Sequence, residues 1–188
     1  MEELIKSNMR KYKFRQRAME KAIHKLMLEL KDDLTRDGLI DTPTRVANRI
    51  AEYLDGQRYS NDEILEMFTS NLTYVDRATA PDVVIPTFSV ISVRESDLVP
   101  YRLDVSIAYK NYSVQFGESK VQKLVSLCAK RLQTQEKFTQ NIANMLNSIL
   151  CTPSESSSGI TAEITVEVVG HHLDGDFITK IQLPKQCK

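Results

Sequence analysis

The sequence predicts an α+β fold in which helices come first and a ββααββ unit follows, an antiparallel four-stranded sheet with two backing helices. Three observations carry this. Tyr101, Leu103, Val105, Ile107 and Tyr109 alternate with Arg102, Asp104, Ser106 and Ala108, and Ile160 to Val168 alternates in the same way, which is the period of half-buried strands. Between these stretches lie two segments with apolar residues at helical spacing. Finally, 188 residues, 41% hydrophobic and 27% charged, suffice for one sizeable core.

The elements follow in order. From Tyr12 to Leu30, Phe14, Met19, Ile23, Leu26, Met27 and Leu30 recur near helical spacing among charges, predicting a long amphipathic helix. Thr42 is placed to cap a second helix with Pro43 in its first turn and Gly56 at its close. Asn61 to Phe68 predicts a short third helix. Val83 to Val93, rich in β-branched residues, and Tyr101 to Tyr109 are the first two strands. Gly117 opens a helix bearing Val121, Leu124, Val125, Cys128 and Leu132, and a further helix from Gln135 bears Phe138, Ile142, Met145, Leu146 and Ile149. After the serine-rich loop Thr152 to Gly159 come the strands Ile160 to Val168 and Phe177 to Leu183. The expected organisation is a helical extension over residues 1–75 and the α+β domain over 76–188. Such a sheet leaves two edges unpaired, and joining edges between subunits into a barrel would cover them, so a homo-oligomer is expected.

Composition narrows the function classes. Lys+Arg and Asp+Glu are equal at 25 each, so no global field draws the chain to nucleic acid or a membrane surface. The first 21 residues are locally basic, seven against three, which reads as a solvated helix face. No apolar run approaches the ~20 residues that span a bilayer, and the N-terminus lacks a signal-peptide core. Cys128, Cys151 and Cys187 are odd in number and lack metal-like spacing, so reduced thiols and a cytoplasmic location are expected. Cys128, on an apolar helix face, reads as core.

Three blocks carry the chemistry. Gly38-Leu39-Ile40-Asp41-Thr42-Pro43-Thr44-Arg45-Val46-Ala47 is a well-capped helix start. In Gly117-Glu118-Ser119-Lys120-Val121-Gln122-Lys123, free backbone donors and a helix dipole beside Lys120 favour an anion, although an ordinary Gly-Ser cap has the same form. In Arg131-Leu132-Gln133-Thr134-Gln135-Glu136-Lys137-Phe138-Thr139, Glu136 taken alone is an acid complementing the dipole of its helix.

Together, in order and spacing, these blocks resemble the GTP cyclohydrolase I family over about Gly38 to Val168. The resemblance implies a tunnelling fold, assembly like stacked pentamers or decamers, and a pocket between subunits. Glu136 would anchor a purine or pterin ring through its N–H and amino donors, with Gln135 beside it and Ser119, Lys120 and Lys123 toward phosphates.

The chain departs from the family where the family binds zinc. Cys-Glu-His-His becomes Arg94-Glu95-Ser96-Asp97, and the later His-x-Cys becomes Gly170-His171-His172. A guanidinium cannot ligate a cation, and Asp97 with His172 falls short of three protein ligands plus an open position. No arginine follows Arg131, and Lys123 lacks the bidentate fork of an arginine. No metal and no other cofactor is therefore expected. Glu95, Asp97, His171 and His172 are the catalytic candidates that remain. Glu118-Ser119-Lys120 with Lys123 also resembles the nitrile reductase of queuosine synthesis, but the nucleophilic cysteine of that enzyme has no counterpart near Arg94.

Three readings stay open: a pocket protein for a guanine-, deazaguanine- or pterin-like ligand, with or without zinc-free chemistry; a pseudoenzyme that assembles with or inhibits an active homologue; and a divergent, active GTP cyclohydrolase I.

Overall fold

The computed structural model describes residues 2–31, 33–69, 73–74, 82–110, 112, 114–150 and 163–184. It divides into two compact units, Met1–Tyr53 and Leu54–Lys188.

The first unit pairs α1 (Glu2–Glu29) with α2 (Thr42–Tyr53). Pro43, Ala47 and Ala51 fall one helical turn apart, so α2 buries a stripe of small side chains. Thr44 donates to Glu20 across the pair at 2.8 Å. The expected cap at Thr42 takes another form: its hydroxyl donates to the Gly38 carbonyl at 3.2 Å and accepts from Arg45 at 2.9 Å. None of the described helices is long and apolar enough to cross a membrane.

The second unit opens with a 3-10 turn (Asp55–Arg58) and α3 (Asn61–Thr69). Its strands are β1 (Thr73–Tyr74), β2 (Val83–Arg94), β3 (Pro100–Lys110), β4 (Val114–Gln115), β5 (Leu132–Gln133), β6 (Glu163–His172) and β7 (Gly175–Pro184). Its helix pair is α4 (Glu118–Ala129) and α5 (Gln135–Leu150). β1 pairs with β4, and the main sheet runs β5-β2-β3-β6-β7. The four expected strands are all there, antiparallel and in sequential order. A fifth, β5, joins parallel to the end of β2 at Val93 and Arg94, so the four-stranded expectation is corrected. Ile160, Ala162, Cys151, Cys187 and the serine-rich loop lie outside the described residues.

Alternation explains the layers. α4 packs on β2, and α5 on β6 and β7. The sheet sends Leu103, Val105, Ile107, Ile164, Val166 and Val168 into one core with Leu124, Val125, Phe138, Ile142 and Leu146, all at most 1% exposed. Each such side chain contributes about 1.5–3 kcal/mol by leaving water. Cys128 belongs to this core: its thiol is pushed up to about 11 by burial, and it touches Met145 Sδ at 3.5 Å. In β2 the register shifts between Ile85 and Phe88. Pro86 lies in that interval, and a proline lacking N–H is tolerated where a bulge interrupts the ladder.

Gly56, expected to stop a helix, is instead buried in the 3-10 turn against the end of α4. A Cβ there would meet the Leu127 carbonyl oxygen and lie 2.9 Å from that of Lys130. Arg131 holds this approach, donating to Gly56 O at 3.1 Å, Tyr59 O at 2.8 Å and Asn61 Oδ1 at 2.7 Å. These contacts tie the turn and α3 to the end of α4 within the second unit.

The other sheet face is mixed, with exposed Val84, Ile91 and Ile178 beside charged and polar side chains. His171 lies between two carboxylates, Nε2 on Asp104 and Nδ1 on Asp176 at 2.8 Å each, with Arg102 at 3.1 Å. The Asp104 bond and then the Asp176 bond raise the His171 pKa. Bonds from Ser89 and His171, with the Arg102 charge, lower that of Asp104. A raised histidine pKa stabilises the fold below the unfolded value, about 6.5, and that contribution is lost as pH rises through the folded value. The thermal-stability gap between the parent chain and His171→Gln is therefore expected to be widest in mildly acidic buffer and to close as pH rises past the His171 pKa. A gap that is constant with pH would contradict this assignment.

Candidate functional site

A cavity of about 720 Å³ opens at one end of the sheet, where the β2–β3 turn, the β6–β7 turn and the start of α5 converge. Arg94, Tyr101, Gln135, Glu136, His172 and Phe177 are among its walls. Each turn is locally determined. In the first, Asp97 accepts from Arg94 Nε at 3.0 Å and from the Val99 N–H at 3.1 Å, closing the loop around Leu98, which takes a left-handed φ of 62°. The Arg94 guanidinium holds the Asp97 carboxyl below its usual range. In the second, Gly175 takes φ 120°, a conformation that L side chains rarely adopt.

Two adjacent residues of α5 have opposite surroundings, because successive helix positions point about 100° apart. Gln135 is 3% exposed; its Nε2 donates to Val168 O at 3.0 Å and Phe177 O at 2.8 Å, and its Oε1 meets His172 Nε2 at 3.1 Å. Glu136 is exposed and makes no hydrogen bond or ion pair among the described residues. The neighbouring acids are mostly engaged: Glu95 with Lys137 at 3.0 Å, Asp97 with Arg94, and Asp176 with His171. His172 stacks on Tyr101, ring centroids 4.5 Å apart. Behind that stack, Tyr101 is 6% exposed, and neither its hydroxyl nor that of Ser92 makes a hydrogen bond of normal geometry among the described residues. Burial raises the Tyr101 pKa.

The sequence-derived candidates separate into three places. Glu95, Gln135, Glu136 and His172 line the cavity, and Asp97 braces the cavity-lining Arg94 from the β2–β3 turn. His171 points to the opposite sheet face, as strand alternation requires. Ser119, Lys120 and Lys123 lie at the far end of the unit. Lys120 sits 6.0 Å from the Phe116 ring, and Phe116 bonds Tyr109, whose position in β3 is about 26 Å from Tyr101 at ~3.3 Å per residue. Sequence reasoning missed Tyr101 and Gly170 as parts of the site. Tyr101 reads as one more core residue of an alternating strand, and the need for glycine at 170 arises from a helix distant in sequence.

Metal-binding geometry can be tested on the donors. Arg94 occupies Asp97, His172 Nε2 faces an amide, and the two imidazoles diverge to opposite faces of β6. Among the described residues no three His, Cys, Asp or Glu side chains are grouped to hold a metal ion. This donor set does not fit a three-ligand catalytic zinc.

Comparison with known proteins agrees with the motifs. The family model described as GTP cyclohydrolase I matches residues 19–172. A GTP cyclohydrolase 1 of Clostridium botulinum (strain Kyoto / Type A2) is 35% identical over 162 residues, covering 83% of this chain and 77% of that protein. One from Clostridium acetobutylicum is 30% identical over 159 residues with the same coverage, and one from Hyphomonas neptunium is 34% identical over 149 residues, 79% of this chain and 69% of that protein. With residues 19–172 matched by the family model and relatives at 30% identity or more aligned over most of the chain, the chain belongs to the GTP cyclohydrolase I family.

Proposed function

We propose that this protein binds a guanine-, deazaguanine- or pterin-type ring at Glu136, in a pocket completed by a second subunit, without the catalytic zinc of its family. The observation that carries this reading is the Glu136 carboxylate, which lines the cavity with no partner among the described residues while the acids around it are mostly paired. A carboxylate with two open acceptor oxygens matches adjacent ring N–H and amino donors. The Tyr101–His172 stack supplies flat apolar surface beside it.

The subunit-sharing part is supported by distance. Lys120 and Glu136 lie at opposite ends of the sheet, too far apart for one small ligand to touch both in one chain. A neighbouring copy that brings its α4 start to this cavity would supply the missing cations, and the helix N-terminus would favour an anion there. The oligomer that the unpaired sheet edges call for would serve this purpose.

Calorimetric titration of the full chain with 7-deazaguanine and with a dihydropterin tests the ring site. Glu136→Gln replaces charge-assisted hydrogen bonds by neutral ones and is expected to weaken binding about 10- to 100-fold. Affinity unchanged by that substitution would remove the basis for the reading.

The relatives' name, GTP cyclohydrolase 1, supports a second reading, a divergent but active GTP cyclohydrolase I. Formation of dihydroneopterin triphosphate by the zinc-loaded oligomer would establish it, and its absence together with ring binding would favour the first reading.

A further inference from the structure

We infer that His172 is a hydrogen-bond acceptor in the cavity, set in that role by Gln135, and that it selects rings carrying an N–H on the edge remote from Glu136. This rests on the ring-binding reading above and names which members of that ligand class the pocket takes.

The tautomer follows from counting donors. The Gln135 amide has two hydrogens, and its nitrogen bonds two buried carbonyls, Val168 O at 3.0 Å and Phe177 O at 2.8 Å. Its oxygen therefore faces His172 Nε2 at 3.1 Å, and that oxygen can only accept. The imidazole must carry its proton on Nε2 and donate it to Gln135. Neutral His172 then presents Nδ1 as a bare lone pair, and Nδ1 has no hydrogen-bond partner among the described residues. Gly170 secures the arrangement. A Cβ there would meet Gln135 Oε1 and stand 2.8 Å from His172 Nε2, so the amide and the imidazole meet over a residue with no side chain. The stack on Tyr101 fixes the plane of the ring.

Two acceptors on different walls, Glu136 on α5 and His172 on β6, then line one cavity. A guanine-type ring offers Glu136 its N1–H and amino group. Its remote edge offers N9–H only when that nitrogen carries no substituent. An alkyl or sugar group there removes the donor, and a bare ring lone pair facing Nδ1 is repelled. The same logic favours a reduced pterin with N8–H over an oxidised one.

The full chain is titrated with 7-deazaguanine and with the same ring methylated at N9. The parent ring is expected to bind about tenfold or more tightly than the methylated one, as one lost hydrogen bond implies. His172→Phe keeps an aromatic face on Tyr101 but removes the acceptor, and should bring the two ligands within about twofold of each other. Glu136→Gln should weaken both alike. Equal affinities in the parent protein, or a preference that survives His172→Phe, overturn the inference while leaving ring binding intact. If neither ring binds, the ring-binding reading fails and this one with it. Independently of any variant, nitrogen-15 spectra of the parent protein should show His172 protonated at Nε2 and bare at Nδ1, and the opposite tautomer overturns the assignment.

Discussion

Gly56→Ala is expected to destabilise the second unit by about 3 kcal/mol, near the upper end of what overpacking costs. The added methyl would meet the Leu127 carbonyl oxygen and approach that of Lys130, backbone atoms at the end of α4 that cannot rotate away. Relief requires the 3-10 turn to move off α4, and that movement breaks the Arg131 bonds to Gly56 O and Tyr59 O. Unfolding in urea at fixed chain concentration should show a lower midpoint with an unchanged slope. A variant within about 0.5 kcal/mol of the parent, the usual range for neutral surface changes, would mean that Gly56 serves as an ordinary turn residue.

Gln135→Leu is expected to cost about 3 kcal/mol as well, for a different reason. Leucine nearly matches the volume but leaves the Val168 and Phe177 carbonyls without their side-chain donor, and each buried acceptor so deprived costs about 1–3 kcal/mol. His172 loses its acceptor too. Thermal melts should report the loss, and the nitrogen-15 signals of His172 should show both neutral tautomers populated. A melting temperature equal to the parent's would show that β6 and β7 do not depend on this amide.

These two residues show what was legible in the sequence. Elements whose side chains repeat with a period could be read: β3 was expected over Tyr101 to Tyr109 and spans Pro100–Lys110, and α5 begins at Gln135 as its apolar spacing required. β5 is two residues long and completes no period, so nothing in Leu132-Gln133 marks it as a strand. Gly56 and Gly170 carry the same one-letter signal as any turn glycine, yet what requires each is an atom on a distant helix. At the site, the motif named Gln135 and Glu136 together. Both line the cavity, but which of them is exposed and which is locked by hydrogen bonds against β6 and β7 depends on the phase of α5 against the sheet, a tertiary quantity. Likewise the pair His171-His172 reads as one cluster, while the strand sends one ring to each face.

The distance between the start of α4 and Glu136 has a genetic consequence. If each pocket draws Lys120 from one copy and Glu136 from another, a chain defective only at Lys120 and a chain defective only at Glu136 are not equivalent losses. Co-expressed in one cell, they would assemble some pockets from the two intact halves, so two null alleles would complement each other. A protein whose pocket lay within a single chain could not do this.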